Sequence, residues 1–232
     1  MASQNCIYTR LGEVDYTEAW DMQRDVARRR ADGELPDSLL LLEHPHTYTL
    51  GRRAFIGDVL AGDEALRRIG VRVVQADRGG LVTYHGPGQI VGYPIMDVRP
   101  LGGPRDYVCA LEEVVILTLN DFGLAAERVP DAIGVWVNGE KVASVGVRIS
   151  RGISTHGFAL NVNTDLSYFR HIVPCGMPGA VVGSMESLLG APVDVDRVAE
   201  RLVHHFGSRL RRTMVEVEPA AIGARTGAGT RA

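Results

Sequence analysis

The stretch 135-VWVNGEKVASVGVRIS-150 decides the fold. Two apolar-rich runs flank Asn138-Gly139, the dipeptide that supplies the positive φ angles of a two-residue type I′ turn. It predicts a hairpin with strands at 135–137 and 141–149. Working outward, 153–162 reads as a further strand, and short apolar runs at 38–43, 46–51, 71–76, 80–85 and 89–98 read the same way. Gly86-Pro87-Gly88 interrupts the last two. Helical periodicity marks 15–31, 62–69, 104–122 and 194–210. Tyr16, Ala19, Trp20, Gln23, Val26 and Ala27 form the inner stripe of the first helix, and Asp15 with Glu18 resembles a capping pair. Helices mixed among hairpin-linked strands, with no repeat and no linker, predict one α+β domain. It is built on a mixed, largely antiparallel sheet flanked by helices and covers residues 1–215. Residues 216–232 are Ala/Gly-rich and read as a loose C-terminal tail.

The bulk properties narrow the function. With 232 residues, 45% apolar and 23% charged, the chain is an ordinary globular protein. A formal charge of −3 argues against a dedicated nucleic-acid binder. No apolar run is long enough to span a bilayer, and the first ten residues lack a secretory apolar region. Cys6, Cys109 and Cys175 show neither an even count nor metal-like spacing, so the expectation is a cytoplasmic protein with reduced thiols.

The hairpin also holds Lys141, the one lysine among 25 basic residues. Strict alternation puts Lys141 with Ala143, Val145, Val147 and Ile149 on an apolar face. Desolvation there favours an uncharged amine, a part arginine cannot play because guanidinium stays protonated. A surface lysine spared beside a turn is the other reading. Cys175 lies in HIVPCGMPG, a Pro/Gly-bounded loop, whereas Cys109 sits in a helix beside Glu112 and Glu113, where a thiolate is disfavoured. Of the three, Cys175 alone has the surroundings of a nucleophile.

The segment 78-RGGLVTYHGPGQ-89 places Arg78, Gly79 and Gly80 ahead of Thr83 and His85. Such a loop lets a substrate lie against main chain and offers N–H donors to oxygen. It is not a phosphate-binding loop, since neither GxxxxGK[ST] nor GxGxxG is present. A bulged hairpin with a structural His85 is the alternative. No set of histidines has metal-ligand spacing, so no metal is expected. The Arg clusters 28–30, 52–53 and 67–68 are solvated faces or a docking site for an acidic partner.

Taken together, RGGLVTYHGPGQ, KVASVGVRI (141–149), HGFALNVN (156–163) and PCG (174–176) resemble the lipoate-protein ligase B family of octanoyltransferases, over roughly residues 10–210. The resemblance implies a biotin/lipoate ligase-like fold. It implies transfer of an octanoyl group from the phosphopantetheine thioester of acyl carrier protein, through a Cys175 thioester. The acceptor is a lysine on lipoyl domains of 2-oxo-acid dehydrogenase E2 subunits or on the glycine-cleavage H protein, the first step of protein lipoylation. Lys141 then lowers the pKa of the Cys175 thiol and serves as general acid and base. The acyl-binding residues it implies are Arg78, Gly79, Gly80, Leu81, Val82, Thr83, Tyr84, His85, Ser144, Val145, Gly146, Gly157, Phe158 and Ala159. Neither ATP nor a metal is implied, and neither a nucleic acid nor a membrane is a partner. An ATP-dependent lipoate or biotin ligase on the same fold, a non-catalytic carrier-binding protein and a Cys-His hydrolase with His85 or His156 as base are the rival readings.

Overall fold

Asn138 and Gly139 take φ angles of 52° and 81°, both positive as a type I′ turn demands. They join β8 (Val135–Val137) to β9 (Glu140–Ser150). The computed structural model describes residues 4–173 and 181–223. Its other strands are β1 (Gln4–Glu13), β2 (Asp37–Glu43), β3 (Thr47–Leu50), β4 (Arg72–Gln75), β5 (Val82–His85), β6 (Gln89–Ile95), β7 (Ala126–Glu127), β10 (Ile153–Asn161) and β11 (Arg212–Glu216). The helices are α1 (Tyr16–Ala31), α2 (Asp63–Arg68), α3 (Pro104–Asp121), α4 (Met185–Leu189) and α5 (Val195–Leu210).

Eight strands form one mixed sheet in the order β11-β1-β2-β6-β10-β9-β8-β7. Pairings from β2 through β7 are antiparallel, and β1 runs parallel to both β2 and β11. The run Leu39–Leu42 in β2 shows why both faces are covered. Leu39 and Leu41 join the core under α3 and α5, with Leu111, Val114, Leu202 and Phe206. Leu40 and Leu42 face α1 through Ala19 and Val26. A strand apolar on both faces belongs between two layers. Helix α1 starts where its sequence says it should: the Asp15 carboxylate accepts from the N–H groups of Thr17 and Glu18.

Three strands expected in the main sheet separate from it. β4, β3 and β5 make a three-stranded sheet whose apolar side holds Tyr48, Val82, Tyr84 and Phe169. Three strands escaped the sequence reading, β1, the two-residue β7 and β11. Polar composition hides β1 and β11, which pair with each other across about 200 residues. No helix among the described residues is long and apolar enough to cross a membrane.

The first residues of the tail expected from 216 are packed instead of loose. Val217 N donates to Tyr8 O, and Ile222, 1% exposed, is buried against the α1 layer. Arg29 donates to the Ile222 carbonyl at 3.1 Å. One buried isoleucine in an Ala/Gly/Pro-rich stretch gives no periodicity, so composition alone read the segment as loose. Ile222→Ala should lower unfolding free energy by about 2–4 kcal/mol in urea titration; an unchanged midpoint would show that 217–223 contributes nothing.

Candidate active site

The pairing of β8 with β9 slips by one residue. Trp136 pairs with Lys141 but Val135 pairs with Ala143, leaving Val142 as the extra residue of a bulge. Directly paired residues share a face, so Lys141 lies with Trp136, opposite Ala143. This corrects the alternation drawn from sequence: an extra residue inverts the parity of everything before it. Lys141 is 5% exposed all the same. It projects beside Ser144 and Gly146 into a cavity of about 340 Å³, within the range of small-molecule sites.

The loop before β8 grips the lysine. Lys141 Nζ donates to the Ile133 carbonyl at 2.8 Å and stands 5.0 Å from the Trp136 ring centroid. Gly134 makes room for the stem: its φ is +139°, and a Cβ there would lie 2.6 Å from Lys141 Cε. Buried Glu112 on α3 accepts from Gly134 N at 2.8 Å and from Arg128 Nε at 3.2 Å. Ile133 is thereby held from below by a carboxylate that the sequence marked only as a neighbour of Cys109.

The cavity is walled by Arg78, Gly79, Gly80, Leu81, Val82, Thr83 and His85 on one side. Ser144, Val145, Gly146, Gly157, Phe158 and Ala159 contribute the other. Two backbones meet here, since a Cβ on Gly146 would stand 2.9 Å from Gly79 O. Tyr84 is the exception among the expected residues. Strand alternation turns it away from the cavity, where its hydroxyl bonds His46 Nδ1 at 2.7 Å and its ring stacks on Tyr168. Cys175 lies outside the described residues. The chain on either side of it is fixed: Val173 N donates to Asp58 O at 2.9 Å, and Lys141 N donates to Val181 O at 2.9 Å. Gly183 N donates to Lys141 O at 3.1 Å.

A directed chain of hydrogen bonds runs through the wall. Arg78 Nε and Nη2 donate to Thr49 Oγ1 at 3.0 and 2.8 Å. Both hydroxyl lone pairs are thus used, so the Thr49 proton goes to His85 Nε2, 3.3 Å away. His85 Nδ1–H then donates to Gln89 Oε1 at 2.8 Å. Gln89 Nε2 donates to Asn161 Oδ1 at 2.9 Å, and Asn161 Nδ2 to Gly183 O at 2.9 Å. Arg78 is therefore a brace for the loop as well as part of the wall. His85 is neutral with one tautomer, an arrangement for positioning and not for taking up a proton.

The model of the lipoyl protein ligase A/B catalytic domain matches residues 15–207. The chain belongs to this family. It is 49% identical over 206 residues to the octanoyltransferase of Solibacter usitatus, covering 88% of this chain and 92% of that protein. It is 50% identical over 218 residues to the octanoyltransferase of Roseiflexus sp., covering 91% and 88%. In fold it is similar to a bipartite lipoate protein ligase from Thermoplasma acidophilum, with a TM-score of 0.70, 16% identity and coverage of 96% and 91%. The biotin protein ligase of Aquifex aeolicus superposes with a TM-score of 0.52 at 14% identity, covering 91% and 70%.

Several residues of this lipoyl protein ligase A/B site have a role that the sequence does not announce. Gln89 and Asn161 lie in the blocks that carry the resemblance but their partners do not show there, and Thr49 and Glu112 are identified only in three dimensions. Among the described residues no group of three or more His, Cys, Asp or Glu side chains is arranged to hold a metal ion.

His85 and His156 line the cavity with Tyr16, which stacks on His85 at 5.8 Å, and buried His44 packs against Tyr16 at 5.1 Å. Burial pulls the His44 pKa down to about 4. Burial likewise holds His85 well below the usual histidine value. His156 is lowered too, by burial against the opposing pull of Asp77 at 2.7 Å. These imidazoles stay neutral in the folded protein while the unfolded chain protonates near pH ~6.5. Stability is therefore full above that pH and is lost as pH falls toward the folded values, by up to ~1.4 kcal/mol per pH unit for each histidine. Urea unfolding should show a clear loss between pH 7.5 and 5.5; equal stability at the two pH values would contradict neutral burial.

Proposed function

We propose that the protein is an octanoyltransferase working through a Cys175 thioester with Lys141 as its proton partner. The observation that carries this reading is the pairing of Lys141 with the segment that follows the cysteine. Six residues past Cys175, the chain bonds to the Lys141 backbone on both sides, and the only lysine lines the apolar cavity next to it.

In the first step the Cys175 thiolate attacks the octanoyl carbonyl of acyl carrier protein's phosphopantetheine thioester. A C–S bond forms, the old C–S bond breaks, and the departing sulfur takes a proton from the Lys141 ammonium. In the second, the amine of a lipoyl-domain or H-protein lysine attacks the Cys175 thioester. It gives its proton to the neutral Lys141 amine as the thiolate leaves. Exchange of one thioester for another is close to isoenergetic and amide formation is downhill, so the chemistry requires neither ATP nor a metal. A cationic neighbour favours the thiolate, and a reducing cytoplasm keeps it available.

The other thiols are poor candidates. Burial and the Asp37 carboxylate push the Cys6 thiol far above its usual range, and Cys109 faces Arg128 through its carbonyl, on α3. For the acyl chain, Val82, Val145 and Phe158 offer apolar surface. About seven methylenes at ~0.8 kcal/mol each contribute ~5–6 kcal/mol of binding.

Intact mass spectrometry tests the reading. Mixing the protein with octanoyl carrier protein, without ATP, should add one octanoyl group, and Cys175→Ser should abolish it. Lys141→Arg should bind the donor yet transfer at least about a hundredfold more slowly at neutral pH, the usual scale of general acid–base contributions. A strict ATP requirement, or an adduct that survives Cys175→Ser, would overturn it.

A further inference from the structure

Exposed apolar side chains stand on two segments next to the cavity: Phe55, Ile56 and Leu60 on one, Ile133 and Val181 on the other. Phe55 is 77% and Ile56 70% exposed, on the loop between β3 and α2. That loop is bonded to the segment entering the cysteine region: Val59 bridges Ile172, and Leu60 N donates to His171 O at 2.8 Å. Across the site, Val181 and Ile133 are exposed while their carbonyls hold Lys141. Scattered exposed apolar residues need no explanation, but a group around one cavity marks a contact surface.

Charge marks the same edge. Many arginines elsewhere are neutralised, as Arg28 is by Asp25, Arg99 by Asp97 and Arg201 by Asp121, and the exposed Arg105, Arg151 and Arg209 are single positions far apart in the chain. Arg52, Arg53, Arg67, Arg68 and Arg170 are exposed, and among the described residues none forms a salt bridge, Arg170 acting on Asp165 from longer range. Together they outnumber Asp58, Asp63, Glu64 and Asp165 of the same segments, which leaves this edge net positive in a chain of net charge −3. The loop root is also the cavity wall, because Arg52 N donates to Arg78 O at 3.0 Å and Arg53 N to Gly80 O at 3.2 Å. Arginine beside exposed aromatic and aliphatic groups is the composition of a protein-recognition surface, and unpaired cations steer an acidic partner toward it.

We propose that the 52–60 loop together with Arg170 is the docking face for the acyl donor, an acidic carrier protein that presents its acyl group on a flexible arm. The inference rests on the octanoyltransferase reading above. The donor fits better than the acceptor because its acyl group must enter the cavity, and this loop is continuous with the cavity wall. An acceptor has only to bring one lysine to the thioester.

The test compares two donors on the Arg52→Glu/Arg170→Glu variant, which leaves the cavity-lining residues intact. Transfer from octanoyl carrier protein should fall about tenfold or more in kcat/KM and lose most of its salt dependence, as rim charge reversal does. Transfer from octanoyl-pantetheine, which has no protein surface, should stay at the wild-type rate. Unchanged kcat/KM with the carrier protein would overturn the proposal, as would an equal loss with both donors. A defect confined to the acceptor step, measured in single turnover from preformed octanoyl-enzyme, would assign the face to the acceptor and overturn it as well. Wild-type protein inert toward both donors would instead overturn the octanoyltransferase reading itself.

Discussion

One ammonium group held in an apolar hairpin is the constraint around which this site is organised. Lys141 reaches the cavity only because Val142 is inserted as an extra residue between two paired positions. Without that bulge the side chain would fall on the face occupied by Ala143 and Val145, under α3. With it, the Lys141 backbone is left to pair with Val181 and Gly183, while Nζ finds the Ile133 carbonyl. Burying a charged or polar group is costly unless it is paired, and here each surrounding feature supplies part of the pairing. Gly134 clears the space, and Glu112 fixes the loop that presents the acceptor.

A second device holds the two walls of the cavity in register. The chain from Arg78 through Thr49, His85, Gln89 and Asn161 ends on Gly183, whose own N–H bonds Lys141 O. Every donor points the same way, so each link fixes the next. The Gly-rich loop and the segment after the cysteine are therefore parts of one rigid polar network crossing the core between the two sheets. Such networks specify a single arrangement when every member is satisfied. Their histidine is a structural spacer, which removes the Cys-His hydrolase reading for His85.

The hairpin, the four longer helices and the central strands were legible because each is a local pattern: Asn138-Gly139, the Leu39–Leu42 run and the stripe on α1. The family was legible because RGGLVTYHGPGQ and KVASVGVRI are contiguous. What escaped depends on partners far apart in the chain. β1 and β11 make sense only beside each other, Ile222 is one large side chain in an Ala/Gly-rich stretch, and strand alternation turns Tyr84 away from the wall toward Tyr168. The bulge at Val142 is the most instructive miss. Burial of Lys141 followed from its neighbours, but its direction depended on a one-residue slip that no spacing rule in β9 announces.

In the proposed mechanism Lys141 is the group that holds the Cys175 thiol ready as a thiolate. The most direct measurement is the rate of Cys175 alkylation by iodoacetamide as a function of pH, in the wild-type protein and in Lys141→Met. A cation beside the thiol should place the wild-type midpoint below that of the variant, with the two rates converging at high pH where both thiols are ionised. Superimposable profiles for the two proteins would contradict the claim that Lys141 acts on the cysteine.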